Sequence, residues 1–296
     1  MPGKTWIDSR PPADSLHVQL LVNMFRPDAV TAAKDVVAWL AKRGVGASAD
    51  TDAAEAIDVP AVPKESFGDA DLVLAIGGDG TLIRAAHLVA DRRTPIMGVH
   101  YGRFGFVTQV LPDQMKGMLE KFLEGNASIE DRMMATTELV RDGETVAELH
   151  CLNETVVQRS ATAKILTFDV HVDGSQVSSY PADGVMVATP TGSTAYNLSA
   201  GGPVVDPKMD ALILTAIMPH TLSSRTLVLT PESEIEIRVE TRGEAVLSCD
   251  GHSRLHMLTG DYVHITRSDR RTRLVCVDQG DFYQKLAERL QWSQGT

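Results

Sequence analysis

The sequence predicts an α/β domain followed by an all-β, sandwich-like domain, and three observations carry that expectation. Apolar runs of strand length alternate with stretches of helical period over the first third of the chain, hairpin signals fill roughly the next 150 residues, and helical spacing returns at the end. The expected limits are 1–126 for the α/β domain, 127–279 for the β-rich domain and 280–296 for a C-terminal helix that returns to the first domain. The 296 residues suffice for one large or two ordinary domains, and a chain of this length buries roughly three quarters of its extended surface.

The first strand signal is Leu16 to Met24 (LHVQLLVNM), a short apolar run of the kind a covered strand needs. Asp28 to Arg43 follows as a helix, because Val30, Ala33, Val37 and Leu40 recur at helical spacing and Gly44 stands where glycine commonly ends one. DLVLAI (Asp71 to Ile76) reads as a buried strand stopped by Gly77 and Gly78, Leu82 to Ala90 as the next helix, and PIMGVH (Pro95 to His100) as the next strand. Pro112 to Leu123 closes the region as a helix, with Met115, Met118, Leu119 and Phe122 as a core-facing stripe. Strands separated by helices call for right-handed crossovers and a mostly parallel, Rossmann-like sheet, whose ligands gather at the carboxyl ends of its strands.

The texture changes near Gly125 to Ile129. TTELVRDGETVAELH pivots on Asp142-Gly143, KILTFDVHVDGSQVSSY on Asp173-Gly174 and SEIEIRVETRGEAVLSC on Arg242-Gly243, each a hairpin signal. Asp281 to Trp292 then places Phe282, Leu286 and Leu290 on one helical face.

Apolar residues make up 43% and charged residues 23%, the balance of a soluble globular protein. The formal net charge of −11 repels polyanions, which excludes nucleic acid and anionic membrane surfaces as expected partners and makes any phosphate site a local one. Cys151, Cys249 and Cys276 are odd in number and widely spaced, so they read as buried free thiols and offer no cysteine zinc site. MPGKTWIDSRPPADS has no apolar core of a signal peptide, no uninterrupted apolar run reaches about 18 residues, and a cytoplasmic protein is expected. The acidic stretches Asp50 to Asp58 and Asp278 to Asp281 read as solvated surface, the first as a loop near the active-site entrance.

The sharpest local feature is Gly77-Gly78-Asp79-Gly80-Thr81, set between a buried strand and a helix start. Glycines there permit positive φ and close approach of backbone N–H groups to an anion, and the helix N-terminus adds a favourable dipole. It is not the dinucleotide fingerprint, since Ile83 occupies the third glycine position, and no G-x-x-x-x-G-K-[ST] occurs. A carboxylate among phosphates is costly unless it binds a metal or takes a proton from a nucleophilic hydroxyl. Asp79 suits the second task in phosphoryl transfer, with magnesium and the loop amides holding the donor phosphates. The plainer reading is a tight strand-to-helix turn with Asp79 or Thr81 as the helix cap. From these residues alone both stay open.

ADGVMVATPTGSTAYNLSAGGP (Ala182 to Pro203) is the second dense stretch: a strand over Val185 to Ala188 runs into small residues and hydroxyls with Gly192, Gly201 and Gly202. Such a segment offers many donors to a polar ligand such as a ribose or an amide, and it exceeds the roughly two to five residues of an ordinary hairpin loop.

Six stretches together make the chain resemble the bacterial ATP-NAD kinase family: GGDGT (77–81), GVHYGRFGFV (98–107), LNETVV (152–157), YPADGVMVATPTGSTAYNLSAGGPVV (180–205), MPHTLSSRTLVL (218–229) and SCDGH (248–252). GGDGT is shared in similar form with diacylglycerol and sphingolipid kinases and with phosphofructokinases; the long match through Asp183 to Gly202, joined to Asn153-Glu154, is specific. The resemblance implies phosphorylation of the adenosine-ribose 2′-hydroxyl of NAD by ATP with Mg²⁺ or another divalent cation, giving NADP, in a homodimer or homotetramer. It implies that Asp79 is the catalytic base, that Gly77, Gly78, Gly80 and Thr81 form the phosphate-donor loop, and that Gly80 and Arg84 flank the dinucleotide. Asn153 and Glu154 match the pair holding the adenosine portion, Asp183 a further dinucleotide-binding acid, Lys164 a basic contact, and Thr194, Ala195, Tyr196, Asn197, Leu198 and Ser199 the segment lining the NAD site. Phe106 and His252 are further candidates, and the metal is carried with ATP rather than by a protein cluster.

Departures from the family pattern are informative. His100 stands where many members carry Asn, His252 replaces a frequent Gln, and Pro181 occupies a position where many carry Arg. Proline supplies neither that cation nor its donors, and since the position is associated with preference for NAD over NADH, the redox preference is open. A lipid kinase sharing GGDGT is disfavoured by the charge and the lack of a basic cluster, and a noncatalytic NAD(P) sensor by the intact Asp79. His252 and His256 have metal-like spacing only on a helix, whereas Leu247 to Thr259 reads as strand and turn. His220 reads as a loop hydrogen-bonder, Ser193 lacks a nucleophile elbow, and Glu154 has a plainer reading as a strand carboxylate paired to a surface arginine.

Overall fold

The computed structural model describes residues 16–101, 105–108, 110–160, 164–239, 245–276 and 281–290. The chain divides into two compact units, 1–131 together with 272–296, and 132–271.

In the first unit the chain runs β1 (His17–Val22), α1 (Pro27–Ala41), β2 (Gly46–Asp50), α2 (Ala54–Ile57), β3 (Ala61–Val62), β4 (Leu72–Gly77), α3 (Asp79–Val89), β5 (Ile96–His100) and α4 (Met115–Leu123). All pairings are parallel, in the order β3-β2-β1-β4-β5. The chain therefore winds outward from β1 in one direction, then returns and winds in the other from β4. That reversal between β1 and β4 is where an open parallel sheet leaves a crevice beyond its strand ends. Asn23 N–H donates to Ile76 O (2.9 Å) and ties the two carboxyl ends together.

Two local expectations shift. Helix α1 buries Ala29, Ala33, Val36 and Leu40, with Val30 and Val37 flanking the same core. Alanines at the centre of the face let the helix lie close to the sheet, which moves the stripe by one residue. Helix α3 starts at Asp79 rather than Leu82, because Gly78 is its extended N-cap (φ −109°, ψ −168°) and the carbonyl of Gly78 accepts from Thr81 and Leu82 N–H. The stripe of α4 is buried as the spacing predicts.

Reading Asp50 to Asp58 as solvated surface fails at its first residue. Asp50 ends β2 and is buried, since the strand carries it under Arg84, and a short helix follows. Residues 278–280 of the other acidic stretch lie outside the described residues.

The second unit is built from β6 (Ser128–Arg141), β7 (Glu144–Cys151), β8 (Glu154–Arg159), β9 (Leu166–Val172), β10 (Ser175–Ala182), β11 (Gly184–Ala188), a 3-10 turn over Thr191–Thr194, α5 (Tyr196–Ser199), β12 (Leu212–Ile217), β13 (Leu227–Leu229), β14 (Ile235–Val239), β15 (Ala245–Cys249), β16 (His252–Met257) and β17 (Tyr262–Cys276), with the first four residues of β6 and the last five of β17 counted in the first unit. One antiparallel layer has the order β10-β9-β14-β17, with β6 joined to β17 and β7; the other has the order β13-β12-β11-β8-β15-β16. Phe168, Val170, Ile237 and Val263 from the first layer share a core with Val157, Val185, Leu214 and Leu247 from the second, so this unit is a sandwich.

Asp142-Gly143 and Asp173-Gly174 turn with positive φ at both residues, as the primed hairpin turns require, and Asp250-Gly251 does the same between β15 and β16. Residues 242 and 243 lie outside the described residues. The three cysteines are free and buried. Helix α6 (Asp281–Arg289) belongs to the first unit, with Leu286 buried. Among the described residues no helix is long and apolar enough to cross a membrane.

Candidate active site

Asp79 is the first residue of α3, at the carboxyl end of β4 and beside the reversal of strand order. Its carboxylate does not cap the helix. It turns to the segment 105–108, where Oδ2 accepts from the N–H groups of Phe106 (2.8 Å) and Val107 (3.3 Å), and Oδ1 from the N–H and the hydroxyl of Thr108 (both 2.8 Å). A Cβ on Gly105 would overlap the carboxylate, so only glycine lets this strand of chain lie against Asp79. The segment is itself held from α6: Arg289 Nη2 donates to Gly105 O (3.2 Å), and the guanidinium lies 5.0 Å from the Phe106 ring centroid.

The glycine loop does not use the positive φ that its residues permit: Gly77, Gly78 and Gly80 all avoid that region. Gly77 is needed for closeness, since a Cβ there would overlap Thr81 and press on Asn23. At Gly78 and Gly80 a Cβ would meet nothing within 4 Å, so the backbone of the α3 N-terminus faces open space with no side-chain cap. Arg84 is not a spare cation. Its guanidinium pairs with Asp50 (2.9 Å) and Asp52 (3.4 Å). Burial pushes the Asp50 carboxyl up, against the pull of Arg84, and Asp50 Oδ1 is buried without a partner.

In the second unit Asn153 and Glu154 are both buried at the start of β8, and a single carboxylate holds the turn that presents them. Asp250 accepts from Leu152 N–H (2.7 Å), Asn153 N–H (2.7 Å) and Glu154 N–H (3.0 Å), and returns its own N–H to Glu154 O (2.9 Å). Gly192 packs on the Asn153 backbone where a Cβ would overlap the carbonyl, and Thr189 N–H donates to Asn153 O (2.8 Å). Asn153 Oδ1 and Glu154 Oε2 are buried without a protein partner, which leaves each an acceptor position for a water or a ligand. Burial first, and the Asp250 charge second, push the Glu154 carboxyl up to about 7, against a backbone N–H from Tyr196. Among the described residues no arginine pairs with Glu154, so the plainer reading of a surface-paired strand carboxylate does not hold.

The hydroxyls of the glycine-rich segment are less available than their number suggests. Residues 191–194 are buried, Ser193 Oγ donates to Pro190 O (2.7 Å) and Thr194 Oγ1 to Thr191 O (3.3 Å), because a 3-10 turn places each hydroxyl over the carbonyl three residues back. Asn197 is fully buried: Nδ2 donates to Ser193 O (3.3 Å) and Pro203 O (3.1 Å), and Oδ1 accepts from Thr215 (2.7 Å). Tyr196 and Ser199 are exposed, and Ala195 and Leu198 half-buried. Arg159 Nε donates to Asp183 Oδ1 (2.7 Å), Lys164 is exposed, and Pro181 O accepts from His220 N–H (2.8 Å). His252 Nδ1 lies 2.8 Å from Asp250 O, on a strand rather than a helix.

Residues 18–127 match the family model described as ATP-NAD kinase N-terminal domain, and residues 152–277 that described as ATP-NAD kinase C-terminal domain. A NAD kinase of Geotalea daltonii is 36% identical over 280 residues, 94% of this chain and 99% of its own length. The chain belongs to the NAD kinase family. A second family member, the NAD kinase of Moorella thermoacetica, is 39% identical over 277 residues, covering 93% of this chain and 89% of that one. The fold is that of a yeast NADH kinase solved with NADH (TM-score 0.89, 24% identity, 95% of this chain and 89% of that one). It is also that of an Archaeoglobus fulgidus NAD kinase solved with ATP (TM-score 0.75, 24% identity, 94% and 98%). Membership makes the chain a kinase, and these matches do not favour a lipid kinase or a noncatalytic sensor.

Residues that sequence reasoning passed over do much of the holding: Gly105, Thr108, Asp50, Asp250 and Arg289. Gly105 and Asp250 lie in two of the family stretches, GVHYGRFGFV and SCDGH, and Asp50 opens an acidic stretch, whereas Thr108 and Arg289 carried no local signal.

Two outcomes are expected. Gly105→Ala forces Asp79 and the segment 105–108 apart and lowers kcat at least about tenfold while Tm falls only a few degrees; unchanged kcat would show that the close approach is dispensable. For Glu154, the folded carboxyl keeps its proton to about pH 7 where an unfolded one releases it near 4.5, so stability drops as pH rises through that interval and the full cost acts above it. Glu154→Gln therefore stabilises the free protein at pH 8 by up to about 3 kcal/mol and has little effect at pH 4. Urea midpoints at the two pH values check this, and an equal shift at both refutes it.

Proposed function

We propose that the chain transfers the γ-phosphoryl group of ATP to the 2′-hydroxyl of the adenosine ribose of NAD, giving NADP and ADP. The observation that carries this reading is the fixed carboxylate of Asp79 on the first turn of an uncapped helix, beside the strand-order reversal. Asp79 takes the hydroxyl proton as O2′ bonds to Pγ and the bond from Pγ to the ADP oxygen breaks. The open backbone at Gly78 and Gly80, with Gly77 and Thr81 shaping the turn, supports a phosphate-binding role for the α3 N-terminus. Asn153 and Glu154 are assigned to the adenosine portion, for which their unpartnered buried oxygens are the support. Asp183, Lys164 and the 194–199 segment are assigned to the dinucleotide, with the Asn197 side chain holding that segment rather than touching substrate. Arg84, Phe106 and His252 are assigned to its margin, Arg84 through a guanidinium that Asp50 and Asp52 already orient.

Among the described residues no group of three or more His, Cys, Asp or Glu is arranged to hold a metal ion, and the Asp79 oxygens are occupied by donors. A divalent cation is accordingly assigned to the phosphates of ATP, where it neutralises charge. NADP formation in the cytoplasm by a homodimer or homotetramer completes the proposal.

The direct test incubates the protein with Mg-ATP and NAD and follows NADP through an NADP-specific dehydrogenase; no NADP at saturating substrate sinks the reading. Asp79→Asn keeps the shape but loses the base, so kcat falls by roughly two orders of magnitude or more while calorimetric NAD affinity stays within a few fold. Pro181→Arg, compared on NAD and NADH, is expected to move the preference toward NAD; an unchanged ratio removes position 181 as its determinant.

A further inference from the structure

The four donors on Asp79 pose a problem for a proton acceptor. An ionised carboxylate offers about four lone-pair positions, and the two N–H groups on Oδ2 together with the N–H and hydroxyl of Thr108 on Oδ1 fill them. To take a proton from a substrate hydroxyl, one of the four has to yield. The three N–H donors belong to a backbone segment seated against the carboxylate by Gly105, and none moves without the chain. The Thr108 hydroxyl alone can leave by rotation about a single bond.

His100 completes the arrangement. It ends β5 with its ring buried, and its Nδ1 lies 3.1 Å from Thr108 Oγ1. The hydroxyl has one hydrogen, directed at Asp79 Oδ1. His100 Nδ1 is therefore the donor in its contact, giving a chain from Nδ1–H to Oγ1–H to Oδ1.

We propose that Thr108 and His100 are positioning residues for the proton transfer, with the Thr108 hydroxyl reversing its hydrogen bond to Asp79 as the proton arrives. While Asp79 is ionised, Thr108 donates to Oδ1. As the substrate proton reaches Oδ1, that oxygen becomes the donor and Thr108 Oγ1 the acceptor, its own hydrogen rotating aside. A hydroxyl oxygen has two acceptor sites, so Oγ1 keeps the hydrogen bond from His100 Nδ1 and gains the one from Asp79. The trio gains the one proton that the substrate hydroxyl gives up, and it loses none. His100 fixes the oxygen in place while the hydrogen turns. This rests on Asp79 being the base, as proposed above.

The test measures kcat, KM for NAD and for ATP, and Tm on the full chain for Thr108→Val, Thr108→Ser, His100→Leu and His100→Asn. Valine keeps the shape without the hydroxyl and is expected to lower kcat at least about tenfold with both KM values within about twofold; serine, which can donate and accept, stays within about threefold of wild type. His100→Leu lowers kcat several fold, and His100→Asn, whose amide N–H can replace Nδ1–H, recovers most of it. Adding Thr108→Val to Asp79→Asn lowers kcat no further, because the hydroxyl acts only through the carboxylate. Serine falling as far as valine, a loss carried by KM, or an additive double variant overturns the proposal, and so does full kcat in Thr108→Val. If Thr108→Val does not fold, Thr108→Ser against wild type and His100→Asn against His100→Leu still decide it. Should Thr108→Val keep full kcat while Asp79→Asn is inactive, this inference fails and the functional reading stands; wild type that makes no NADP removes the functional reading itself.

Discussion

A half-buried carboxylate needs hydrogen-bond donors, and Asp79, at a helix start, draws them from a segment more than twenty-five residues later in the chain. Much of the first unit follows from that requirement. Segment 105–108 has to pass close enough to lend consecutive N–H groups, which demands glycine at 105. It has to follow β5, which pairs with β4 so that the two strands end side by side. It also has to stay in place, which Arg289 on the last helix secures through the Gly105 carbonyl and the Phe106 ring. Helix α6 thus acts on the site through the backbone that holds Asp79.

The second unit solves a related problem with opposite results for its two acids. Asp250 sits at a hairpin turn with positive φ and takes three N–H groups from residues 152–154, so its charge is spent on building the turn. Glu154, brought next to it, inherits burial and a like charge, and its Oε2 has no partner. Asn153 Oδ1 and Glu154 Oε2 are both buried with no protein partner, so their hydrogen bonds have to come from a water or a ligand.

Much of the layout was legible in the sequence because it depends on local periodicity. The strand runs, the α4 stripe and the Asp-Gly pivots each report a nearest-neighbour constraint, and the motifs that mark the family lie in the segments that bear Asp79, Asn153 and Glu154. What stayed hidden is long-range. Nothing near Thr108 says that its hydroxyl meets Asp79, nothing near Asp50 that β2 carries it to Arg84, and nothing in GSTAYN that a 3-10 turn directs the hydroxyls inward. The loop glycines mislead in a different way. Their number suggests strained turns, yet none adopts positive φ; Gly77 is there for closeness to Thr81 and Asn23, and Gly78 and Gly80 border open space.

Charge places the last constraint. A chain of net charge −11 whose substrates are polyanions would be expected to keep bare cations at its site. Instead Arg84 is held by Asp50 and Asp52, and Arg159 by Asp183. A guanidinium already paired with carboxylates has little net charge to offer a phosphate, but it has a fixed direction and further N–H donors. Where paired guanidinium groups and helix-start N–H groups bind a phosphate, recognition rests on oriented donors more than on net field. Oriented donors act at contact distance, within a screening length of about 8 Å at physiological salt. Affinity built on them depends on ionic strength less steeply than affinity built on a basic patch.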